Sequence, residues 1–263
     1  MSKEFEEILK SRQNLVNKKM NQINNYPKSA ADYLMRGINR FNKGDLGGAI
    51  ADFNKIIDIN PNNVDAYCNL GLMHHYQGDL DGAIADYNKA LKIDPDYALA
   101  WFNRGIVLHY QGNLEDAIAD YNKAINLNPN CTEFYHNRGK IYRDQGKLED
   151  AIANYDQALK IDRKNAEFNN DRGVVRYQQG NLEDAITNYS QAIEINPNFS
   201  IAYFNRGLAR TELGNLDGAI ADYSQAIEIN PNYTEAYYSR GVARYKQGDL
   251  DGAIADYSQA IEV

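Results

Sequence analysis

The segment GAIADYSQAIE stands twice, letter for letter, at residues 218–228 and 252–262, and looser copies begin at Gly48, Gly82, Asp116, Asp150 and Asp184. Each copy starts 34 residues after the one before it. A fixed step of this size marks a repeat array, in which each unit hides its apolar face only against its neighbours. Period therefore constrains the fold more than any local motif, and the usual reading of 263 residues as one or two closed globular domains does not apply.

The interior of each period reads as two helices. One glycine series runs Gly37, Gly71, Gly105, Gly139, Gly173, Gly207 and Gly241; a second runs Gly44, Gly78, Gly112, Gly146, Gly180, Gly214 and Gly248. Asp or Asn follows the second series in six of seven copies (Asp45, Asp79, Asn113, Asn181, Asn215, Asp249), with Lys147 the exception, and Leu always comes next. That order predicts a left-handed glycine closing a first helix, A, and an Asx side chain capping a second, B. Acids such as Glu115, Asp116, Glu149 and Asp150 suit the positive end of helix B. Pro61, Pro95, Pro129, Pro197 and Pro231 end helix B, and Arg163 stands where a sixth proline is expected. Small residues (Gly71, Ala83, Ala90) alternate with large ones (Tyr67, Ile84, Tyr87), which predicts close helix packing.

Residues 1–29 are expected to form an N-terminal capping helix. Phe5, Ile8, Leu9, Val16, Met20 and Ile23 share one helical face there, and Pro27 lies 34 residues before Pro61. The repeats follow as 30–63, 64–97, 98–131, 132–165, 166–199, 200–233 and 234–263, the last read as truncated within helix B. The formal charge is −8, while residues 1–29 carry six Lys/Arg against three Asp/Glu, so the array is the acidic part. This charge argues against nucleic acid, which needs Lys and Arg along one face. Cys68 and Cys131 offer no disulfide framework, and neither a signal peptide nor an apolar run of membrane-spanning length is present. A cytoplasmic protein without membrane insertion is expected.

A 34-residue helix-turn-helix carrying an aromatic, a glycine, two alanines and a closing proline, as in Trp101, Gly105, Ala117, Tyr121, Ala124 and Pro129, resembles the tetratricopeptide repeat (TPR). The resemblance covers residues 30–263 and implies an all-α fold: a right-handed α-α superhelical solenoid whose concave groove, lined by A helices, binds protein partners. One departure recurs. Arg36, Arg104, Arg138, Arg172, Arg206 and Arg240 precede the helix A glycine, where the family usually has Leu, and Arg40, Arg176, Arg210 and Arg244 stand one turn on. Helix B offers Asp52, Asp86, Asp120, Asp222 and Asp256, so the arginines are expected to pack their stems between helices and pair with these acids.

By the geometry the resemblance implies, the groove face starts with Leu34, Ile38 and Phe41, then Cys68, Leu72, His75 and Tyr76, then Phe102, Ile106, His109 and Tyr110. The fourth repeat turns polar with Glu133, His136, Lys140, Arg143 and Asp144. Asn170, Val174 and Tyr177 follow, then Phe204, Leu208 and Thr211, then Tyr238, Val242 and Tyr245. An apolar, aromatic strip with one charged patch predicts partner binding. One TPR subclass captures a chaperone's C-terminal carboxylate with Lys and Asn; here Asn69, Asn103, Asn137 and Asn205 match, but Cys68, Phe102, His136 and Phe204 replace the lysines, which argues against that ligand.

No cofactor is expected. Cys68, His75, His109 and His136 all fall on the groove face, but Cys68 and His75 are seven residues apart on one helix, about 10 Å of rise, and His75 and His109 sit on separate helices about 8 to 10 Å apart, so no metal site is expected among them. Phosphate loops, nucleophile elbows and His-Glu-x-x-His are absent, so an enzyme is not expected. The leading expectation is a protein-interaction scaffold binding a partner peptide or helix in the groove. Its alternatives are self-association as a homo-oligomer through the uncapped C-terminal repeat, or service as the interaction domain of a longer protein with an effector or catalytic domain beyond residue 263.

Overall fold

The computed structural model describes Pro27 and residues 29–263. The N-terminal capping helix expected within residues 1–29 lies outside the described residues. Among the described residues there are fourteen α-helices and no strand. They run as pairs: α1 (Ala30–Asn42) and α2 (Leu46–Ile59), α3 (Val64–Tyr76) and α4 (Leu80–Ile93), α5 (Ala98–Tyr110) and α6 (Leu114–Leu127), α7 (Thr132–Asp144) and α8 (Leu148–Ile161), α9 (Ala166–Gln178) and α10 (Leu182–Ile195), α11 (Ser200–Glu212) and α12 (Leu216–Ile229), α13 (Thr234–Gln247) and α14 (Leu250–Glu262). The chain divides into two compact units, the first ending at Pro129 with α1–α6 and the second, Asn130–Val263, with α7–α14. Within each unit a helix packs most extensively on its own pair partner and next on the adjoining pair.

The turn inside each pair is built by glycine. All seven residues of the second series, Gly44 through Gly248, have φ between 72° and 86°, where a Cβ would strain the backbone. At Gly78 the amide donates to the His75 carbonyl at 2.9 Å and the next amide, of Asp79, donates to the His74 carbonyl at 2.9 Å, which satisfies two of the orphan carbonyls at the helix end.

Helix B capping differs from the sequence expectation. Asp45, Asp79, Asn215 and Asp249 accept from the amides of Gly48, Gly82, Gly218 and Gly252, but Asn113 and Asn181 make no cap hydrogen bond. Space explains the split. A Cβ built on Gly48 or Gly82 would sit 2.1 Å from the second oxygen of the capping carboxylate, so the helix B cap in this geometry needs glycine three residues on, whereas the caps of α1, α3 and α9 by Ser29, Asn63 and Asn165 accept from Asp32, Ala66 and Phe168. Asn113 and Asn181 face Asp116 and Asp184 at that position; their amides turn to Gln111 and Gln179 at 3.3 Å, and the acids of the first turn serve the helix dipole instead.

Between A and B the core is a ring set on a glycine. A Cβ on Gly105 would lie 2.7 Å from the Tyr121 ring, and the same holds within about 0.1 Å for Gly37 on Phe53, Gly71 on Tyr87 and Gly207 on Tyr223. Ala49, Ala83, Ala117, Ala151, Ala185 and Ala219 are fully buried beside these rings. The alternation of gaps and knobs read from the period is therefore the packing contact itself.

The arginine hypothesis holds in four pairs. Arg36, Arg104, Arg206 and Arg240 each make a two-pronged bond to Asp52, Asp120, Asp222 and Asp256, with distances of 2.5 to 3.2 Å. These carboxylates are buried, and Arg40, Arg210 and Arg244 reach the same Asp52, Asp222 and Asp256 at 2.7 to 3.0 Å. In three of the four the guanidinium also reaches back to the preceding B helix, Arg104 to Asn88 at 2.5 Å, Arg206 to Ser190 at 3.0 Å and Arg240 to Ser224 at 3.0 Å. Each such arginine thus ties three helices together while its face stacks on an aromatic ring, Trp101 for Arg104 at 4.7 Å. Arg138 and Arg172 meet Asn154 and Asn188 where the other pairs offer Asp, Arg172 pairing besides with Asp156 of the preceding B helix at 2.6 Å, and Leu70 replaces the arginine in the second pair, leaving Asp86 to His74 at 2.8 Å and Lys89 at 3.1 Å.

Candidate interaction site

Because B helices take the glycine-facing rings, the non-repeating residues of the A helices are left to line open surface. In the first unit Leu34, Phe41 and Leu72 are half-buried against the core beneath them, while Ile38 is exposed. Phe41 meets Tyr76 with ring centroids 5.0 Å apart, and His75 meets Tyr110 at 5.3 Å. Leu72, His75 and Tyr76 of α3 and Ile106 and Tyr110 of α5 enclose a recess of about 370 Å³, floored by Tyr87 and edged by Asn103. Tyr76 is 61% exposed and Tyr110 72%, far beyond what large aromatics show in a closed core. Burial pulls the His75 imidazole below its ordinary pKa, which keeps it neutral near pH 7. His109 is half-buried beside Tyr110 at 6.4 Å, and Phe102 lies over the Tyr121 ring at 5.7 Å.

Cys68, read as part of the same face, is buried, and Asn103 donates to its sulfur at 3.6 Å. Desolvation pushes its thiol up to about 11, so it carries almost no thiolate at neutral pH.

In the second unit the predicted residues separate into two groups. Tyr177 is half-buried with its hydroxyl bonded to Glu212, and Leu208 packs with Phe204 on the α12 core. Phe204 lies between Tyr223 at 5.9 Å and Tyr233 at 5.0 Å, so much of its ring supports the fold. Phe204 and Tyr238 then join Thr234, Tyr257, Ala260 and Ile261 around an apolar recess of about 600 Å³. Tyr238 and Tyr245 are 60% and 62% exposed. Tyr257, Ala260 and Ile261 belong to α14, whose recurrent sequence reads as packing alone, which is why sequence reasoning passed them by.

The charged patch is less open than its composition suggests. Arg143 places two donors on Asp144 at 2.9 and 3.0 Å, and Lys140 is half-buried. His136 is 7% exposed, packed on Phe168 at 4.7 Å, and its Nε2 lies 2.8 Å from Asp171. It sits in the wall between A helices rather than on an open face.

Among the described residues no helix is long and apolar enough to cross a membrane. The curated proteins contain no significant match to this chain. The family model described as "TPR repeat" matches residues 39–78, 71–112, 139–180, 173–214 and 207–248, and models described as "Tetratricopeptide repeat" match 98–131, 234–263 and 120–153. Among solved structures, MamA is similar at 30% identity over 60% of this chain and 92% of its own, with a TM-score of 0.57. A tetratricopeptide repeat protein from Parabacteroides merdae is 23% identical over 89% of this chain and 92% of its own, with a TM-score of 0.67. YrrB, described as a TPR protein with an unusual peptide-binding site, is 22% identical over 72% of this chain and 97% of its own, with a TM-score of 0.59. With models matching most of its length and fourteen helices in seven glycine-hinged pairs, the chain belongs to the tetratricopeptide repeat family and has the all-α solenoid fold of a protein-interaction scaffold.

Proposed function

We propose that the chain binds a segment of a partner protein along its A-helix face, with the recess between α3 and α5 as the main anchor point. The observation that carries this reading is the exposure of Tyr76 and Tyr110 on consecutive A helices around a cleft of about 370 Å³. Aromatic side chains of this size supply much of the binding energy where partner surfaces meet, and exposing them to water has no folding benefit. The acidic array favours a partner segment that is apolar with basic flanks. Lys140 and Arg143 would tune specificity rather than affinity, since Arg143 already has its own acid.

The exposed tyrosines provide the cleaner test, because Phe102 and Phe204 also support the core. A displayed random-peptide library selected on the wild-type chain should yield binders that lose about tenfold or more in affinity for the Tyr76→Ala/Tyr110→Ala variant. Selection of no peptide, or of peptides that bind the variant equally well, would refute the groove reading.

A second reading, association between copies through α14, is favoured by Ile254 and Ile261, which are 63% and 86% exposed. Light scattering over a tenfold concentration range, about 10 to 100 µM, should then show mass rising with concentration, and Ile254→Glu should hold the chain at the monomer mass. A constant monomer mass excludes it.

A further inference from the structure

We propose that His136, Asp171 and Glu167 form a binding site for one divalent transition-metal ion of the zinc class. One donor atom from each of the three lies within 4.8 Å of the other two. Glu167 and Asp171 stand one turn apart on α9, which puts both carboxylates on the same face, toward His136 on α7. The set is one imidazole nitrogen and two carboxylate oxygens. That combination suits Zn2+ and its first-row neighbours and is foreign to Ca2+ and Mg2+, which take oxygen alone.

The two inner donors are held in place before any ion arrives. Phe168 at 4.7 Å and Tyr155 at 5.7 Å pack against the buried His136 ring in tilted contacts. Asn205 donates to Asn170 at 3.0 Å, Asn170 donates to one oxygen of Asp171 at 3.2 Å, and the other oxygen of Asp171 faces His136 Nε2 at 2.8 Å. A chain of outer hydrogen bonds of this kind orients metal ligands. Arg143 feels the charge of Asp171, but its own hydrogen bonds go to Asp144, so it does not occupy the oxygen aimed at His136.

Packing does not explain these residues. In the position of Asp171 the other A helices carry Met35, Asn69, Asn103, Asn137, Asn205 and Ser239, and in that of His136 they carry Leu34, Cys68, Phe102, Asn170, Phe204 and Tyr238. The position of His136 varies from repeat to repeat and that of Asp171 is usually Asn, and among the described residues this is the one touching pair at these positions whose two members are both common metal donors. Zinc with bonds of about 2.0 to 2.2 Å sets donors roughly 3.3 Å apart. The His136–Asp171 contact must therefore widen by about 0.5 Å, and Glu167, which is exposed, must swing inward by one side-chain rotation. Glu167, Asn170 and Asp171 also line a recess of about 440 Å³ with Phe199 and Ile201, so the two carboxylate donors border open space while His136 stays buried behind them.

The test is calorimetric titration of the chelator-treated full chain with ZnCl2, repeated with CoCl2 and read by absorbance. One ion per chain should bind, and the cobalt spectrum should lack the intense near-ultraviolet band of a thiolate ligand, which separates this site from Cys68 and Cys131. Asp171→Asn and His136→Phe install residues that other repeats carry at these positions, and each should weaken binding by about 30-fold or more. Glu167→Gln, on the exposed side chain, should weaken it about tenfold and serves if either inner variant fails to fold. Absence of saturable binding, a thiolate band, or affinity unchanged in the folded variants overturns the proposal.

Discussion

Asp222→Ala should destabilise the α11–α12 region by about 3 kcal/mol. The Asp222 carboxylate is 3% exposed and receives Arg206 through two bonds at 2.7 and 3.0 Å and Arg210 at 2.7 Å. Deleting it leaves two guanidiniums of 15% and 25% side-chain exposure facing each other without an acid. Full burial would put the cost at the upper end of about 3 to 5 kcal/mol for a broken buried pair, and the partial access of water to both arginines argues for the lower end. The chain contains its own control: Arg138 and Arg172 are received by Asn154 and Asn188, so Asp222→Asn keeps an acceptor and should cost less than half as much. Hydrogen exchange is the suitable readout, because stability in a repeat array is a sum of local terms and the loss should concentrate in α11–α13. A loss below about 1 kcal/mol, or an Arg206→Leu variant that keeps full stability and loses partner binding, would show that these arginines serve a ligand rather than the fold.

Much of this was legible in the sequence, for a physical reason. A repeat array has one solution copied many times, so a residue that recurs every 34 positions must be doing local packing, and the glycines, rings and Arg–Asp pairs could be assigned before any coordinate. What escaped lies where copies differ. The caps at Asn113 and Asn181 failed because the cap depends on a second residue three positions on, Gly48 or Gly82 in one case and Asp116 or Asp184 in the other. His136 was assigned to the open groove by its helical face, yet the A helix that follows brings Asp171 against it. The step from 136 to 171 is 35 residues, and the same step joins Cys68 to Asn103, Asn170 to Asn205 and Tyr177 to Glu212. One period plus one residue is thus the contact register of neighbouring A helices. Along that register the available signal is Asp171, the lone acid in a column of Met35, Asn69, Asn103, Asn137, Asn205 and Ser239. Among Cys68, His75, His109 and His136, no spacing between the groove cysteine and histidines themselves points to a metal; the carboxylates come to His136 only through the following A helix.

Tyr121 should give opposite signs for two truncations, and that pair of results bears on the rings that hold every A–B contact. Its side chain is fully buried, seated on Gly105, and its hydroxyl has no hydrogen-bond partner. Tyr121→Ala removes the ring and leaves a cavity between α5 and α6, which should cost about 3 to 5 kcal/mol. Tyr121→Phe removes only an unpartnered hydroxyl whose desolvation opposes folding, so it should leave stability unchanged or raise it by about 1 kcal/mol. Phe53 already occupies the equivalent place on Gly37, 1% exposed, which shows that the seat accepts phenylalanine. Tyr223 supplies the contrast. Its hydroxyl lies 3.0 Å from that of Thr211, so Tyr223→Phe removes a bond that is made, leaving Thr211 its donation to the Gly207 carbonyl, and should cost up to about 1 kcal/mol. Chemical denaturation of the three variants decides the matter: a Tyr121→Phe loss equal to that of Tyr223→Phe would mean that the Tyr121 hydroxyl has a partner after all. The repeat would then rest on a buried polar contact at that seat instead of on the shape of a ring against a glycine.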